Sequence, residues 1–222
     1  TKDPGDDVDG RDACRKIAIL SSLACGHHVY PDNIPARGIR DVAVEDVKAA
    51  EQLDCAIKLI AWYHENPEGA ADAFSAGVEP MLVPESNQLA GVNDVFNAVL
   101  MQGDMLGDVV FYGKGAGKLA TASAVVADML DSIEHKDNRR RIFWGDGSKN
   151  LLRPLDTLQS AWYVRFKGAQ KDVEELLPVE SLTEPAEGVF VVQTRKLSTA
   201  EMNAAAEKLN GRGEVRAAMR IL

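Results

Sequence analysis

The residues best suited to chemistry lie near the start of the chain, where five aspartates and a lysine fall between Asp3 and Lys16. Packed carboxylates repel one another unless cations or hydrogen-bond donors offset them. We expect a helix from Gly10 onward, capped by Asp9 or Gly10, which makes Asp12 and Lys16 i,i+4 neighbours on one face. A carboxylate and an amine held one turn apart can grip a polar substrate and pass a proton, so this segment is a candidate catalytic site.

The aspartate cluster has two other interpretations. Asp7-Val8-Asp9-Gly10 resembles part of an EF-hand calcium loop. That register puts Gly5 at the first ligand position and Lys16 where the closing glutamate belongs, which excludes such a loop. The second interpretation is a capped helix start with solvated acids, in which Asp12 and Lys16 form a surface salt bridge worth only a few tenths of a kcal/mol. The pattern alone leaves this second interpretation open.

A glycine-rich segment, Gly113-Lys114-Gly115-Ala116-Gly117-Lys118, is the second candidate site. It is not a Walker A loop, because Leu119 stands where Ser or Thr is required and the first glycine is misplaced. It does not match GxGxxG either. We expect a flexible turn between a strand and a helix that is able to approach a ligand closely. A plain strand-to-helix turn is the alternative.

The composition excludes several classes of function. The chain has 222 residues, enough for one large or two small domains, and a formal net charge of −9 that argues against a nucleic-acid surface. No apolar run approaches the roughly 20 residues that cross a bilayer, and no signal peptide precedes the first aspartates. We therefore expect no membrane partner and a cytoplasmic location. Three cysteines without CxxC spacing indicate free thiols, and His27-His28 lacks neighbours at metal spacing, so no metal site is predicted.

The hydrophobic pattern predicts an α/β fold in two parts: a first domain with a mixed sheet at residues 1–134, which contains the candidate catalytic site, a polar linker at 135–158 and a smaller domain at 159–222. In the first helix we expect Ile17, Ile19, Leu20 and Leu23 to form the apolar face. The other elements expected in the first part are a loop at 30–35, a helix at 45–53, strands at 56–63, 78–83, 95–101 and 107–112, a surface connection at 65–77 and a helix at 121–133.

The smaller domain has a recognisable order of elements. Residues 161–167 alternate like a half-buried strand, and Ser198 with Glu201 forms a capping box at the start of a helix. Together the elements give the ferredoxin-like βαββαβ pattern, which is typical of small sensing or assembly domains. Its predicted strands are 161–167, 179–182, 188–194 and 214–222, and its predicted helices are 171–177 and 198–209.

Several stretches together resemble one family. The segment Asp3-Pro4-x-x-Asp7-Val8-x-Gly10-x-Asp12-x-x-Arg15-Lys16 resembles the catalytic-helix motif of homoserine dehydrogenases. Residues 111–128 resemble the closing motif of that family, and residues 159–222 resemble the ACT domain that is attached to it as a regulatory module. Four further stretches agree in order and spacing, at 38–42, 58–61, 79–84 and 92–98.

The resemblance implies a reaction and its residues. The reaction is reversible hydride transfer between NAD or NADP and homoserine or aspartate 4-semialdehyde, in threonine and methionine biosynthesis. Lys16 is then the proton donor to the carbonyl oxygen, aided by Asp12, which also binds substrate, while Asp7 helps to hold the substrate's amino group. The cofactor contacts that the resemblance implies are Gly117, Gly115 and Ala116.

The resemblance also implies partners. It predicts a homodimer and an amino-acid effector such as threonine on the ACT-like domain. No GxGxxG-bearing nucleotide-binding half stands in the sequence, so we expect the cofactor to be bound mainly by such a half and this chain to be inactive alone. The alternative is a non-catalytic regulatory or assembly protein, in which the first part is a dimerising scaffold and the ferredoxin-like part binds a small effector or a partner's strand edge.

Overall fold

The computed structural model describes residues 3–65, 73–136, 143–147 and 151–222. They form two compact units, one made of Thr1–Pro84 with Trp144–Leu222 and the other of Glu85–Phe143. The helices of the first unit are α1 (Gly5–Val8), α2 (Arg11–Cys25), α3 (Val44–Gln52), α5 (Gln170–Leu176) and α6 (Thr199–Asn210). Its strands are β1 (Cys55–Glu65), β2 (Phe74–Pro84), β5 (Gln159–Lys167), β6 (Val179–Ala186), β7 (Val189–Thr194), β8 (Leu197–Ser198) and β9 (Glu214–Ile221).

A single mixed sheet runs through the first unit in the strand order β1-β2-β9-β5-β7-β6, with the short β8 beside β5. Strands β2 and β9 pair in parallel, with Met81 opposite Arg220 and Leu82 opposite Ile221. The strands β5, β6, β7 and β9 with helices α5 and α6 follow the ferredoxin-like order, so the predicted fold class is confirmed. The sheet joins residues that we expected in two domains, and the boundaries at 134 and 159 stay a prediction.

Strand β5 is buried on both faces, so the prediction of a half-buried strand is wrong. Trp162, Val164 and Phe166 pack on one face in a core cluster with side chains of α5 and α6. Tyr163 packs on the other face, in a cluster with Ala49 and other residues of α3 and β2. Helix α3, which precedes the first strand of the sheet, therefore covers the face that we expected to meet solvent.

Helix α2 packs on β2 through apolar side chains. Ala18 and Ile17 of the helix share a core cluster with Phe74, Ala76 and Val78 of the strand. The expected surface connection at 65–77 is therefore wrong at its end, because buried β2 already begins at Phe74. Small residues such as Ala76 favour a loop in the sequence, but in the structure Ala76 is fully buried in the cluster with α2. Residues 66–72 of that prediction lie outside the described part of the chain.

Part of the predicted linker forms backbone hydrogen bonds with other segments of the first unit. The amide of His28 donates to the carbonyl of Gly145 at 2.8 Å, and the Gly145 amide donates to the Gly26 carbonyl at 3.0 Å. Further along, the Phe74 amide donates to the carbonyl of Leu151 at 3.0 Å. These bonds attach the segment to the end of α2 and the start of β2.

The second unit contains a hairpin and a helix. Strands β3 (Phe96–Gly103) and β4 (Gly107–Lys114) pair antiparallel, and helix α4 covers Lys118–Glu134, close to the predicted positions. Helix α4 buries none of its residues. In the described part of the chain, no helix combines the length and apolar character needed to cross a membrane.

A buried ion pair joins α3 to β5. The Arg165 Nε donates to Asp46 Oδ1 at 2.7 Å and its Nη2 to Oδ2 at 3.0 Å, while the Tyr163 hydroxyl donates to Oδ1 at 2.9 Å. The hydrogen bond to Asp46 raises the pKa of Arg165, and burial raises the pKa of Tyr163. The guanidinium therefore stays charged and the phenol stays protonated at neutral pH, as this geometry requires.

Arg220 forms a second buried connection, at the parallel pairing. Its Nε donates to Glu79 Oε1 on β2 at 3.0 Å, and its guanidinium carbon lies 4.4 Å from the ring centroid of Trp162 on β5. The remaining nitrogens donate to the hydroxyls of Ser160 at 3.0 Å and Thr199 at 2.6 Å. One side chain thus links β2, β5, β9 and the start of α6.

Replacing Asp46 tests the buried pair. We expect Asp46→Asn to lower the free energy of unfolding by about 3–5 kcal/mol, because the Arg165 guanidinium would remain buried without its counter-charge. Urea unfolding followed by tryptophan fluorescence measures the change. Glu214→Gln breaks the more exposed pair with Arg216 and should cost less than about 1 kcal/mol. Equal, small losses in both variants would contradict a buried ion pair at Asp46.

Candidate active site

The first candidate site lies at the start of α2. Gly10 is the N-cap of this helix with φ at +77°, and its carbonyl accepts the Cys14 amide at 2.9 Å. Gly10 rather than Asp9 is therefore the cap, and it acts through its backbone alone. Asp12 falls in the first turn, where a carboxylate is stabilised by the helix dipole.

Asp12 and Lys16 meet on one face of α2, as the spacing predicts. Lys16 Nζ lies 2.8 Å from Asp12 Oδ2, with side chains 54% and 44% exposed. A pair this accessible contributes little to folding. It holds an ammonium in a fixed place and leaves it open to a ligand, which is the arrangement that proton donation to a substrate requires.

The face of α2 around this pair differs from the prediction. The buried positions are Cys14, Ile17, Ala18, Ser21 and Ser22, and burial raises the pKa of the Cys14 thiol. Of the four apolar residues that we expected to be buried, only Ile17 is. The other three lie on the same face as Lys16, at i+3, i+4 and i+7 from it, and are exposed, namely Ile19, Leu20 and Leu23.

Arginines neutralise two of the neighbouring aspartates. Asp6 lies 3.0 Å from Arg15, and Asp9 binds Arg40 through Nε and, at 3.2 Å, through Nη2. The hydrogen bond from Arg40 lowers the pKa of Asp9. Asp7 is exposed and forms no ion pair with any residue that the structure describes, so its carboxylate is available to a cation.

A loop packed against the α1–α2 junction holds Arg40. The Ile39 amide donates to the Val8 carbonyl at 2.9 Å. A Cβ added at Gly38 would collide with that same carbonyl, so only glycine permits this approach. Asp9, Gly38 and Arg40 line a small open cleft here. No chemical pattern in the sequence singles out Arg40, which is visible there only as part of the stretch at 38–42.

The second candidate site belongs to the second unit. Gly117 is the N-cap of α4 with φ at +123°, a conformation that strongly favours glycine. A Cβ added there would meet nothing within 4 Å, so the turn is open at the helix N-terminus. The Gly115 amide donates a hydrogen bond to the Val95 carbonyl at 3.0 Å, which fixes the backbone there. Ala116 stands between them, in a turn between strand and helix as predicted.

Removing Lys16 should leave the fold intact. Lys16→Ala is expected to change the free energy of unfolding by less than about 1 kcal/mol, because Lys16 is half exposed and its ion pair with Asp12 is an accessible i,i+4 pair on the helix surface. Chemical denaturation of the two proteins measures this. A loss as large as that expected for Asp46→Asn would mean that Lys16 serves stability.

The pKa of Asp9 provides a pH test. It should titrate below its usual 3.8 in the folded chain, so its stabilising effect is present above the unfolded-state pKa and is lost as the pH falls through the lower folded-state value. Carboxyl NMR titration should show a rise in the Asp9 pKa in Arg40→Gln. Glu201, whose pKa is lowered by Ser198 instead, should not respond. An unchanged Asp9 pKa in Arg40→Gln would contradict the pairing.

Comparison with known proteins identifies the family. The sequence profile of the homoserine dehydrogenase family matches residues 1–130. A homoserine dehydrogenase of Synechocystis sp. is 45% identical over 131 residues, covering 59% of this chain and 30% of that protein. One of Neisseria gonorrhoeae is 35% identical over 181 residues, covering 82% of this chain and 37% of that protein.

A solved structure extends the match to nearly the whole chain. The homoserine dehydrogenase of Thiobacillus denitrificans superposes with a TM-score of 0.82 and 29% identity, covering 99% of this chain and 55% of the other. The present chain thus spans about a third of the two curated relatives and about half of the solved structure. The sequence resemblance is confirmed, and the chain belongs to the homoserine dehydrogenase family.

Proposed function

We propose that this chain is the catalytic half of a homoserine dehydrogenase, which interconverts homoserine and aspartate 4-semialdehyde with NAD or NADP in threonine and methionine biosynthesis. The observation that carries the proposal is the half-exposed Asp12–Lys16 pair, 2.8 Å apart on the helix that carries the family motif. Neither side chain is needed to hold the fold together, which leaves both available to a substrate.

Lys16 is the proposed proton donor. When bound, the cofactor supplies or accepts a hydride. In the reducing direction the carbonyl carbon of the aldehyde receives that hydride while Lys16 Nζ gives a proton to the carbonyl oxygen, and homoserine results. In the oxidising direction Lys16 takes the hydroxyl proton. Asp12 holds the ammonium in place, so that the ammonium polarises the carbonyl before it donates.

The other predicted site residues have matching roles. Asp7, with no ion pair among the described residues, is free to bind the ammonium group of homoserine. Gly115, Ala116 and Gly117 are the proposed cofactor contacts on this chain. The open backbone at Gly117 fits that role, because nothing lies within 4 Å of the position of a Cβ and the following helix N-terminus favours an anionic group. The rest of the cofactor is held by a nucleotide-binding half that complements this chain.

We also propose a homodimer. The face of the β3–β4 hairpin that carries Val99, Met101, Val109 and Phe111 is exposed and apolar, and a two-stranded hairpin is marginal unless it packs against something. A second copy of the same face would cover it.

We propose two further properties. The ferredoxin-like order of the C-terminal strands supports an amino-acid effector such as threonine. The free cysteines fit a cytoplasmic setting.

A fusion protein tests the proposed activity. The nucleotide-binding half of the Synechocystis relative would be joined to Thr1, and homoserine-dependent reduction of NADP or NAD would be followed at 340 nm. We expect activity in the fusion and a loss of about 10²–10⁴-fold in Lys16→Ala, the usual contribution of a general acid. Lys48→Ala, an exposed lysine on α3, is the matched control and should keep full activity.

A binding assay on the chain itself separates the two candidate functions. Stabilisation by homoserine in a thermal shift, absent in Lys16→Ala, supports the enzyme. A thermal shift with threonine but not with homoserine would favour the non-catalytic regulatory protein if the fusion is also inactive. The control for that result is the same nucleotide-binding half joined to the relative's own C-terminal half, which should be active.

A further inference from the structure

The loop 35–40 connects three parts of the first unit. The Arg37 amide donates to the Val78 carbonyl on β2 at 2.7 Å, and the Val78 amide donates to the Pro35 carbonyl at 2.9 Å. Arg37 Nη2 reaches the Ala218 carbonyl on β9 at 3.0 Å. These contacts anchor the loop to strands β2 and β9, so that the loop can hold the α1–α2 junction in a fixed position.

The same loop contacts the junction of α1 and α2. The Ile39 amide binds the Val8 carbonyl, and Arg40 binds both oxygens of Asp9. Asp9 is the C-cap of α1 and directly precedes Gly10, the N-cap of α2. A bidentate guanidinium–carboxylate contact fixes orientation as well as distance, which a lysine ammonium does not.

We propose that Arg40 is a positioning residue for proton transfer. Through Asp9 it fixes the position of the first turn of α2, and thereby the positions of Asp12 and Lys16. This inference rests on the proposed function. Asp12 lies three residues beyond Asp9 and Lys16 one turn further, and a helical turn moves as one body. A displacement of about 1 Å at reacting groups costs on the order of 10²-fold in rate. Arg40 itself makes no contact with the Asp12–Lys16 pair in the hydrogen bonds and ion pairs of the described residues.

The test measures kcat and KM in the fusion protein. Arg40→Ala and Asp9→Ala should each lower kcat by about 10–100-fold while the KM values for homoserine and NADP change by less than about threefold. The double variant should be no slower than either single variant, because the two residues act as a unit. Arg40→Lys should recover part of kcat. Arg216→Ala, which breaks a local arginine–glutamate pair on β9, is the control and should leave kcat unchanged.

Other results would overturn the inference. A higher KM with unchanged kcat in Arg40→Ala would mean that Arg40 binds a ligand directly. The inference would also be wrong if the losses of kcat in the two single variants multiply in the double variant, or if Arg40→Ala leaves kcat unchanged.

A measurement without activity separates this inference from the proposed function. In the chain alone, amide hydrogen exchange at Cys14, whose amide closes the first turn on Gly10, should quicken by about tenfold or more in Arg40→Ala. Exchange at Leu209, buried in the C-terminal core, should not change. If the fusion is inactive but this exchange responds, the proposed function fails while the support from Arg40 stands. If the exchange does not respond, the positioning role is wrong.

Discussion

The parallel pairing of β2 with β9 is the constraint on which the rest of the first unit depends. β2 carries α2 on one side through Phe74, Ala76 and Val78, and at its other end it continues the C-terminal sheet through Met81 and Leu82. The strand is therefore shared by the candidate catalytic helix and the ferredoxin-like portion. Two residue pairs of parallel ladder would be weak alone, and Arg220 on β9 reinforces them by joining Glu79 to side chains of β5 and α6. A residue near the end of the chain thus completes the support of a helix near its start.

Charged side chains have two different uses in this unit. The Asp46–Arg165 and Glu79–Arg220 pairs are buried, saturated with hydrogen bonds and bridge segments that are distant in sequence. Breaking such a pair leaves an uncompensated charge in the interior, so the pairs specify how the segments fit together. The Asp12–Lys16 pair is local and accessible, and its removal costs the fold little. Burial thus distinguishes these two structural ion pairs from the Asp12–Lys16 pair, which is open to a substrate.

Local patterns in the sequence predicted much of this arrangement. Spacing alone placed Asp12 beside Lys16, and the capping box of Ser198 with Glu201 marked the start of α6. The ferredoxin-like order followed from the succession of strands and helices. Each of these depends on residues close together in the chain, where periodicity and capping are informative.

The non-local features could not be predicted in the same way. The β2–β9 pairing joins strands more than a hundred residues apart, and no sequence pattern specifies that register. Because α3 covers the second face of the C-terminal sheet, Tyr163 is buried where alternation indicated a solvent face. Ile19 and Leu20 are apolar and were expected in the core, yet the helix packs on β2 through the face that carries Ile17 and Ala18. Arg40 was missed since its significance lies entirely in its contact with Asp9.

A crystal structure of the fusion protein with homoserine bound tests the central claim most directly, namely that the start of α2 delivers the proton. The account predicts Lys16 Nζ within about 2.6–3.2 Å of the homoserine hydroxyl oxygen, with Asp12 still bound to that ammonium. Homoserine bound away from the first turns of α2, or a Lys16 ammonium directed away from the hydroxyl, would contradict it.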